Sequence, residues 1–296
     1  MKIGNISIVG RANVGKSTLL NAILGEKVTI VSNKPQTTRN NIIGIYNDEN
    51  TQIVFVDTPG FHHPKNRLGE HMIKEANESI KDVDAVLLVV EPKEPGKTER
   101  ELIERFKKIE VPVILIINKV DYYKKTDCIL SIAAYSKLHD FTSIIPISAK
   151  NNDGVDLVKN EIMKLLVEGG TPLYPNDIAT NQTERQMVSE FVREKLFQNL
   201  NEEVPHGIAV ETMQFKNREN KPITDISVNI ICEKDTHKSI IIGKDGQMLK
   251  KIATEARLDI EDLLARKVFL QCFVKVREGW RDNENLINSF DQRENE

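Results

Sequence analysis

The stretch ISIVGRANVGKST (residues 6–18) constrains this chain more tightly than any other. An apolar run of strand character leads into G-x-x-x-x-G-K-S, and a helix-like run follows at once. A strand that breaks into a glycine-rich turn and restarts as a helix points backbone N–H groups at one spot, where they cradle phosphate. Gly10, Arg11, Ala12, Asn13, Val14, Gly15, Lys16, Ser17 and Thr18 are therefore candidate nucleotide-binding residues. The N–H groups of Asn13 to Ser17 would wrap the phosphates, Lys16 would neutralise the outer ones, and Ser17 would ligate Mg²⁺.

The surrounding pattern agrees. Apolar runs at 6–9, 42–46, 52–56, 85–90, 113–117 and 144–147 alternate with helical periodicity at 16–24, 68–80, 97–108, 127–138 and 155–166. AVLLVV and PVILIIN are almost wholly apolar, as expected of strands buried on both faces of a parallel sheet. The expectation is a three-layer α/β domain over residues 1–168. EGGTPLYPNDIATNQ then interrupts the pattern, and 169–182 reads as a linker. Residues 183–280 follow the order α-β-β-α-α-β, a smaller α+β domain, and 281–296 reads as a polar, fraying tail.

Three further motifs select the nucleotide, and each ends a strand. In IVFVDTPGF, Asp57 can hold a Mg²⁺-bound water and the Gly60 N–H can reach a γ-phosphate, with Thr58, Pro59 and Phe61 alongside. In IINKVD, Asn118, Lys119, Val120 and Asp121 form the base end, and the Asp121 carboxylate can accept from both N1–H and the 2-amino group of guanine. Adenine lacks those donors, so GTP is favoured and a metabolic kinase acting on ATP is disfavoured. Ser148, Ala149 and Lys150 close a later strand, where the Ala149 N–H could reach guanine O6 and Lys119 and Lys150 could sandwich the base. Catalysis would rest on Lys16 and Gly60 among these residues.

Composition removes other classes. With 40% hydrophobic and 29% charged residues the chain reads as an ordinary globular protein, and no apolar run approaches the roughly 20 residues that span a bilayer. MKIGNISIVG enters a strand pattern directly, so no secretory leader is expected. Cys128, Cys232 and Cys272 lie far apart with no CxxC, which suits a reducing cytoplasm. A formal net charge of −3 opposes indiscriminate coating of nucleic acid.

On these motifs, the first domain resembles the translation-factor-related GTPases. The resemblance implies that QTTRN, residues 36–40, is a switch threonine motif, with Thr38 as second Mg²⁺ ligand alongside Ser17 and Asp57 and Thr37 as its rival. Many small GTPases carry a water-orienting glutamine after DxxG; here Phe61 stands there, as in a known subgroup, and slow intrinsic turnover is expected. In related GTPases with NVGKS, the asparagine helps bind K⁺ beside the phosphates. Asn13 either does this or simply suits the loop backbone. His62 and His63 read as solvated loop residues, not a general base.

A second glycine turn, IIIGKDGQMLKK at 240–251, lacks the P-loop spacing and joins two helices. It matches the G-x-x-G turn of KH domains, which clamps a single-stranded backbone while a neighbouring groove reads bases. Gly243, Lys244, Asp245 and Gly246 would form the clamp, Ile241, Ile242 and Leu249 an apolar groove, and Lys250 and Lys251 a positive edge. Residues 218–277 carry twelve Lys and Arg against nine Asp and Glu, opposite in sign to the whole chain. A helix connector would carry the same glycines, but the α-β-β-α-α-β order favours a type II KH domain.

The pairing of GRANVGKST, QTTR, DTPG, NKVD and SAK with a C-terminal KH domain resembles the Era family of bacterial ribosome-assembly GTPases, and EARLDIEDLL and VKVREGWRDN extend the likeness. Ala12 departs from the family, where proline is common. The resemblance implies a GTP-controlled, monomeric, cytoplasmic protein that binds the 3′ end of 16S rRNA through its KH domain and assists 30S assembly, with peripheral inner-membrane association in some members. The alternative is a GTPase whose C-terminal domain docks a protein or membrane partner. Trp280 would pack the C-terminal segment or stack on a base.

Overall fold

The computed structural model describes residues 1–292 apart from 33, 35, 36, 62, 63, 65, 81, 110 and 220. Gln36, His62 and His63, to which the sequence assigned roles, therefore lie outside the described residues. The chain forms two compact units, Met1–Pro64 with Gly69–Asn181, and Gln182–Glu296 with Lys65–Leu68.

The first unit runs β1 (Lys2–Val9), α1 (Lys16–Leu24), β2 (Ile42–Asp48), β3 (Thr51–Asp57), α2 (Arg67–Glu78), β4 (Ala85–Val90), α3 (Lys97–Phe106), β5 (Val113–Ile117), α4 (Lys125–Ser136), β6 (Ser143–Pro146), α5 (Val155–Leu165) and β7 (Val167–Glu168). Strand order is β2-β3-β1-β4-β5-β6, with β2 antiparallel to β3 and the others along this path parallel. Successive strand residues face opposite ways. Leu87 and Val89 therefore join a core with Leu19, Leu20, Val158 and Ile162 of α1 and α5, whereas Val86, Leu88 and Val90 join one with Ala76, Leu102, Phe106 and Tyr135 of α2 to α4. That is a three-layer α/β unit.

β7 was not foreseen. It adds two residues antiparallel to β1, pairing Val167 with Ile3 and Glu168 with Lys2. The segment read as a linker is stitched to the sheet edge. Leu173 and Tyr174 N–H groups donate to Gln52 Oε1 at 2.7 and 3.0 Å, and Thr180 Oγ1 donates to the Ile43 carbonyl at 2.6 Å.

The second unit comprises α6 (Glu184–Asn199), β8 (Ala209–Asn217), β9 (Ile223–Cys232), α7 (Asp235–Ile242), α8 (Gln247–Leu264), β10 (Lys267–Val276) and α9 (Glu284–Gln292). Its sheet order is β10-β9-β8, with β10 parallel and β8 antiparallel to β9. Ile226, Val228 and Ile230 of β9 are buried, as are Val188 and Leu196 of α6 and Ile252 and Ile260 of α8, and α6 packs on α8 and β8. Helix α8 runs without a breaker to Leu264, where Ala265, at φ 49°, caps it. The tail expected to fray instead forms α9. Ile287 and Phe290 are buried, and the Phe290 ring meets Trp280 edge-on at 5.5 Å. Trp280 is itself buried and donates from Nε1 to the Gly207 carbonyl at 3.0 Å, so its role is packing.

Candidate functional site

The turn between β1 and α1 is held open from within. Gly15 sits at φ 97°, and a Cβ there would lie 2.3 Å from Asn118 Nδ2, so only glycine fits. Asn13 shares the left-handed region at φ 65°. Val14 is buried in the core and offers only its backbone to the turn; its carbonyl accepts from Asn118 Nδ2 at 2.9 Å. Lys16 is only 6% exposed, and its ammonium donates to the Gly10 and Arg11 carbonyls at 3.2 and 3.0 Å. Burial pushes its pKa down to about 8, against the opposing pull of Asp57. Arg11 leads the other way and pairs with the buried Glu99 of α3.

Beside Lys16 three oxygen-bearing side chains converge. Ser17 Oγ donates to Asp57 Oδ2 at 2.6 Å, Ser17 Oγ and Thr38 Oγ1 lie 3.0 Å apart, and Thr38 Oγ1 reaches Asp57 at 3.4 Å. Thr37 borders the same cavity, but its hydroxyl donates to the Lys34 carbonyl at 2.7 Å. Asp57 is fully buried; burial pushes its carboxyl pKa up, while Lys16 and the Ser17 and Thr38 hydroxyls pull it down. Among the described residues, its Oδ1 has no hydrogen-bond partner. A buried, orphaned carboxylate oxygen beside two hydroxyls is a hard-oxygen donor set, which suits Mg²⁺. Gly60 and Ala12 line the same cavity. Thr58 does not: its hydroxyl is committed to the Ile8 carbonyl at 2.8 Å. Phe61 is 7% exposed and packs with Val9, Ile80 and Leu88 in the core, so its ring is directed away from the cavity.

The base end is assembled from three strand ends. Asn118 Oδ1 accepts from the Ala149 N–H at 3.0 Å, and the Val120 N–H donates to Ile147 at 3.1 Å. Ser148 is buried and its Oγ accepts from the Asn151 N–H at 3.4 Å, capping the turn that begins at Ala149. Asp121 and Lys150 are exposed. Lys119, at φ 68°, donates to the Asn13 carbonyl and to Glu91 Oε1 at 2.7 Å. Sequence reasoning missed Glu91. Burial raises its pKa, but hydrogen bonds from Lys119 and Lys93 outweigh that and hold it at about 2. The signal was present: a carboxylate follows directly on the apolar β4, at the carboxyl edge where such sheets bind ligands.

In the second unit, the glycine turn is open to solvent. Lys244 and Asp245 are exposed, Gly243 and Gly246 half-buried, and the Gly246 N–H donates to the Gly243 carbonyl at 3.3 Å. Lys250 and Lys251 are exposed, with Ile242 and Leu249 half-buried nearby. Ile241 is a correction. It is fully buried and cannot touch a base, because helical phase turns it into the core; Ile240, at 49%, is exposed instead.

Comparison with known proteins adds the following. A family model described as 50S ribosome-binding GTPase matches residues 5–119, and one described as KH domain matches 203–281. The chain is 48% identical to GTPase Era of Ruminiclostridium cellulolyticum over 295 residues, covering 99% of this chain and 98% of the relative. It is 52% identical to GTPase Era of Clostridium botulinum over 290 residues, covering 98% and 97%. Its structure is similar to Era in complex with MgGDPNP and nucleotides 1506–1542 of 16S ribosomal RNA, at TM-score 0.94 and 39% identity over 98% of both chains. It is also similar to an Aquifex aeolicus Era variant bound to GDP·AlF4⁻, at TM-score 0.94 and 38% identity over 98% and 99% of the two chains.

Proposed function

The chain belongs to the Era family of GTPases, and on that premise we propose that its KH unit binds the single-stranded 3′ end of 16S rRNA under control of the nucleotide held by its first unit, in assistance of 30S subunit assembly. One observation carries the reading: a closed oxygen cluster of Ser17, Thr38 and Asp57 and an open GKDG turn occur in one chain. The first suits a nucleoside triphosphate with its metal, the second a nucleic acid backbone.

Ser17, Thr38 and Asp57 would hold Mg²⁺, which when bound neutralises charge building on the phosphates. The remaining work falls to the chain. Backbone N–H groups of residues 13–17 donate to phosphate oxygens, and Lys16 adds a full positive charge among them. Gly60 donates its N–H to the γ-phosphate. Asp121 accepts from guanine, while Lys119 and Lys150 cover the faces of the base. Water attacks the γ-phosphorus, the bond to the bridging oxygen breaks, GDP leaves with the electron pair, and the water's proton passes to a phosphate oxygen, giving inorganic phosphate. Because Phe61 is packed in the core, no side chain at that position orients the water, and intrinsic turnover is slow. Asn13 lines the cavity; a role in holding K⁺ beside the phosphates predicts faster turnover in KCl than in NaCl, and equal rates remove K⁺ from the mechanism and leave Asn13 a loop-shaping residue.

The γ-phosphate reaches Thr38 and Gly60, one in each switch loop, and orders both. RNA affinity then differs between nucleotide states, and by linkage RNA changes nucleotide affinity by the same factor. The protein works as a monomer in the cytoplasm; peripheral membrane contact has only the family likeness behind it. The test is titration of a 16S 3′-end RNA against protein loaded with GDP or with a non-hydrolysable GTP analogue. Different affinities are expected, and equal ones remove the switch.

A further inference from the structure

The sheet of the second unit has a face that the KH turn does not use. Register places Phe269, Gln271, Phe273 and Lys275 of β10 beside Asp225, Ser227, Asn229 and Ile231 of β9, all on the side opposite the inward-pointing Ile226, Val228 and Ile230. Helix α9 packs beside β8, and there Glu211 and Asn229 are buried and hydrogen-bonded to each other at 2.9 Å. Towards β10 the face is open. Phe269 and Phe273 are 48% and 49% exposed, which is costly for aromatic rings on a monomer's surface.

Three properties of this shelf identify its occupant. Its charge is positive: Lys216, Arg218, Lys267 and Lys275 outnumber Asp225 and Glu211 on this face, Asp225 is consumed by a bidentate pair with Arg218 at 2.6 and 2.8 Å, and Lys267 is paired with Glu261 at 3.1 Å. Among the described residues, Lys216 and Lys275 make no ion pair. Its apolar content is two rings on one strand, four residues and about 13 Å apart, with the amides of Gln271 and Gln214 in the row between them. Rings interleaved with cations and amides suit unpaired bases, which stack on the rings and offer hydrogen-bonding edges to the amides. The glycine turn is one strand edge away: α7 and α8, which flank GKDG, pack on β10, the edge strand of the sheet, so a segment leaving the turn reaches the shelf by crossing that edge.

We propose that this outer face of β10 and β9 is a second single-stranded RNA contact, on which the segment leaving the GKDG turn stacks its bases on Phe269 and Phe273. The proposal rests on the RNA-binding reading above, and its test separates the two. Fluorescence anisotropy of the full chain is measured with an RNA of about four nucleotides, the length a G-x-x-G turn clamps, and with a longer one of about twelve that begins with the same sequence. The longer RNA is expected to bind more tightly. F269A/F273A should weaken it by about tenfold or more, since stacking on each ring contributes measurably, and leave the short RNA and the melting temperature unchanged. K216Q/K275Q should lower the salt dependence of the longer RNA by about one in log–log slope without touching the rings. If the longer RNA binds no more tightly than the short one, or both double variants bind it as the parent does, the shelf does not hold RNA and a protein partner is left for it. If the parent protein binds neither RNA, the RNA reading itself falls and this inference with it.

Discussion

The two glycine turns do opposite things with the same residue types. In the first, the strong nitrogen donors around the turn are held by the protein itself. Lys16 is held by two carbonyls, Asn118 ties the turn to β5 and β6, and Lys119 is anchored by Glu91. In the second, Lys244 and Asp245 stand in solvent, and the turn is closed by backbone alone, Gly246 N–H to the Gly243 carbonyl and Gln247 N–H to the Lys244 carbonyl. A nucleotide is a small ligand, so its phosphates must be met by donors fixed in advance, where little entropy remains to be lost. An RNA backbone is long, repeats its charge, and gains affinity by adding contacts along its length. The first turn is therefore a built cavity and the second an edge.

The sharpest way to break this contrast is K16A. It removes the charge-assisted hydrogen bonds proposed between Lys16 and the phosphates, each of about 1.5–3 kcal/mol, and GTP affinity by titration calorimetry should fall about a hundredfold or more. RNA affinity of the nucleotide-free protein should not change; a matching fall in both would mean the turns are not separate sites.

A smaller effect is expected at Glu91. E91Q keeps an acceptor for Lys119 but discharges it, and a hydrogen bond to a charged group exceeds a neutral one by about 1 kcal/mol. Release of a fluorescent GDP should quicken about fivefold, with RNA binding unaltered. If release is unchanged, Lys119 needs no anchor and the wiring of the first turn is overstated.

The smallest effect is in acid. The folded protein holds Glu91 at about 2, below its ordinary 4.5. A depressed carboxyl stabilises the fold above its unfolded pKa and ceases to do so as pH falls through the folded value. The gap in melting temperature between parent and E91Q should thus be fully present above pH 5 and shrink as pH falls towards 2. A constant gap would mean that the charge of Glu91 does not stabilise the fold.

Much of this was legible in the sequence because local rules act on neighbouring residues. The strand–turn–helix context of GRANVGKST and the apolar runs of β4 and β5 follow from period and glycine placement, and each recurs in the structure. Groups that depend on distant partners were harder to read. Glu91 finds Lys119 and Tyr123, residues 28 and 32 positions away. Gln52 captures Leu173 and Tyr174 from more than a hundred residues off, which is why a stretch rich in Gly and Pro is stitched to a sheet edge. The polar tail misled for a related reason: Ile287 and Phe290 are too few to announce a helix, yet Trp280 supplies the surface they need. Ile241 failed on phase alone, since one residue's shift along α7 moves a side chain from groove to core.

The most direct test of two turns with two ligands is calorimetry on G246D. Gly246 sits at φ 74°, where a side chain is strained, and aspartate would set a negative charge against the RNA phosphates. The expected result is GTP affinity and turnover equal to the parent's, with RNA affinity reduced at least tenfold. RNA binding that survives intact, or GTP binding lost together with it, would contradict the account.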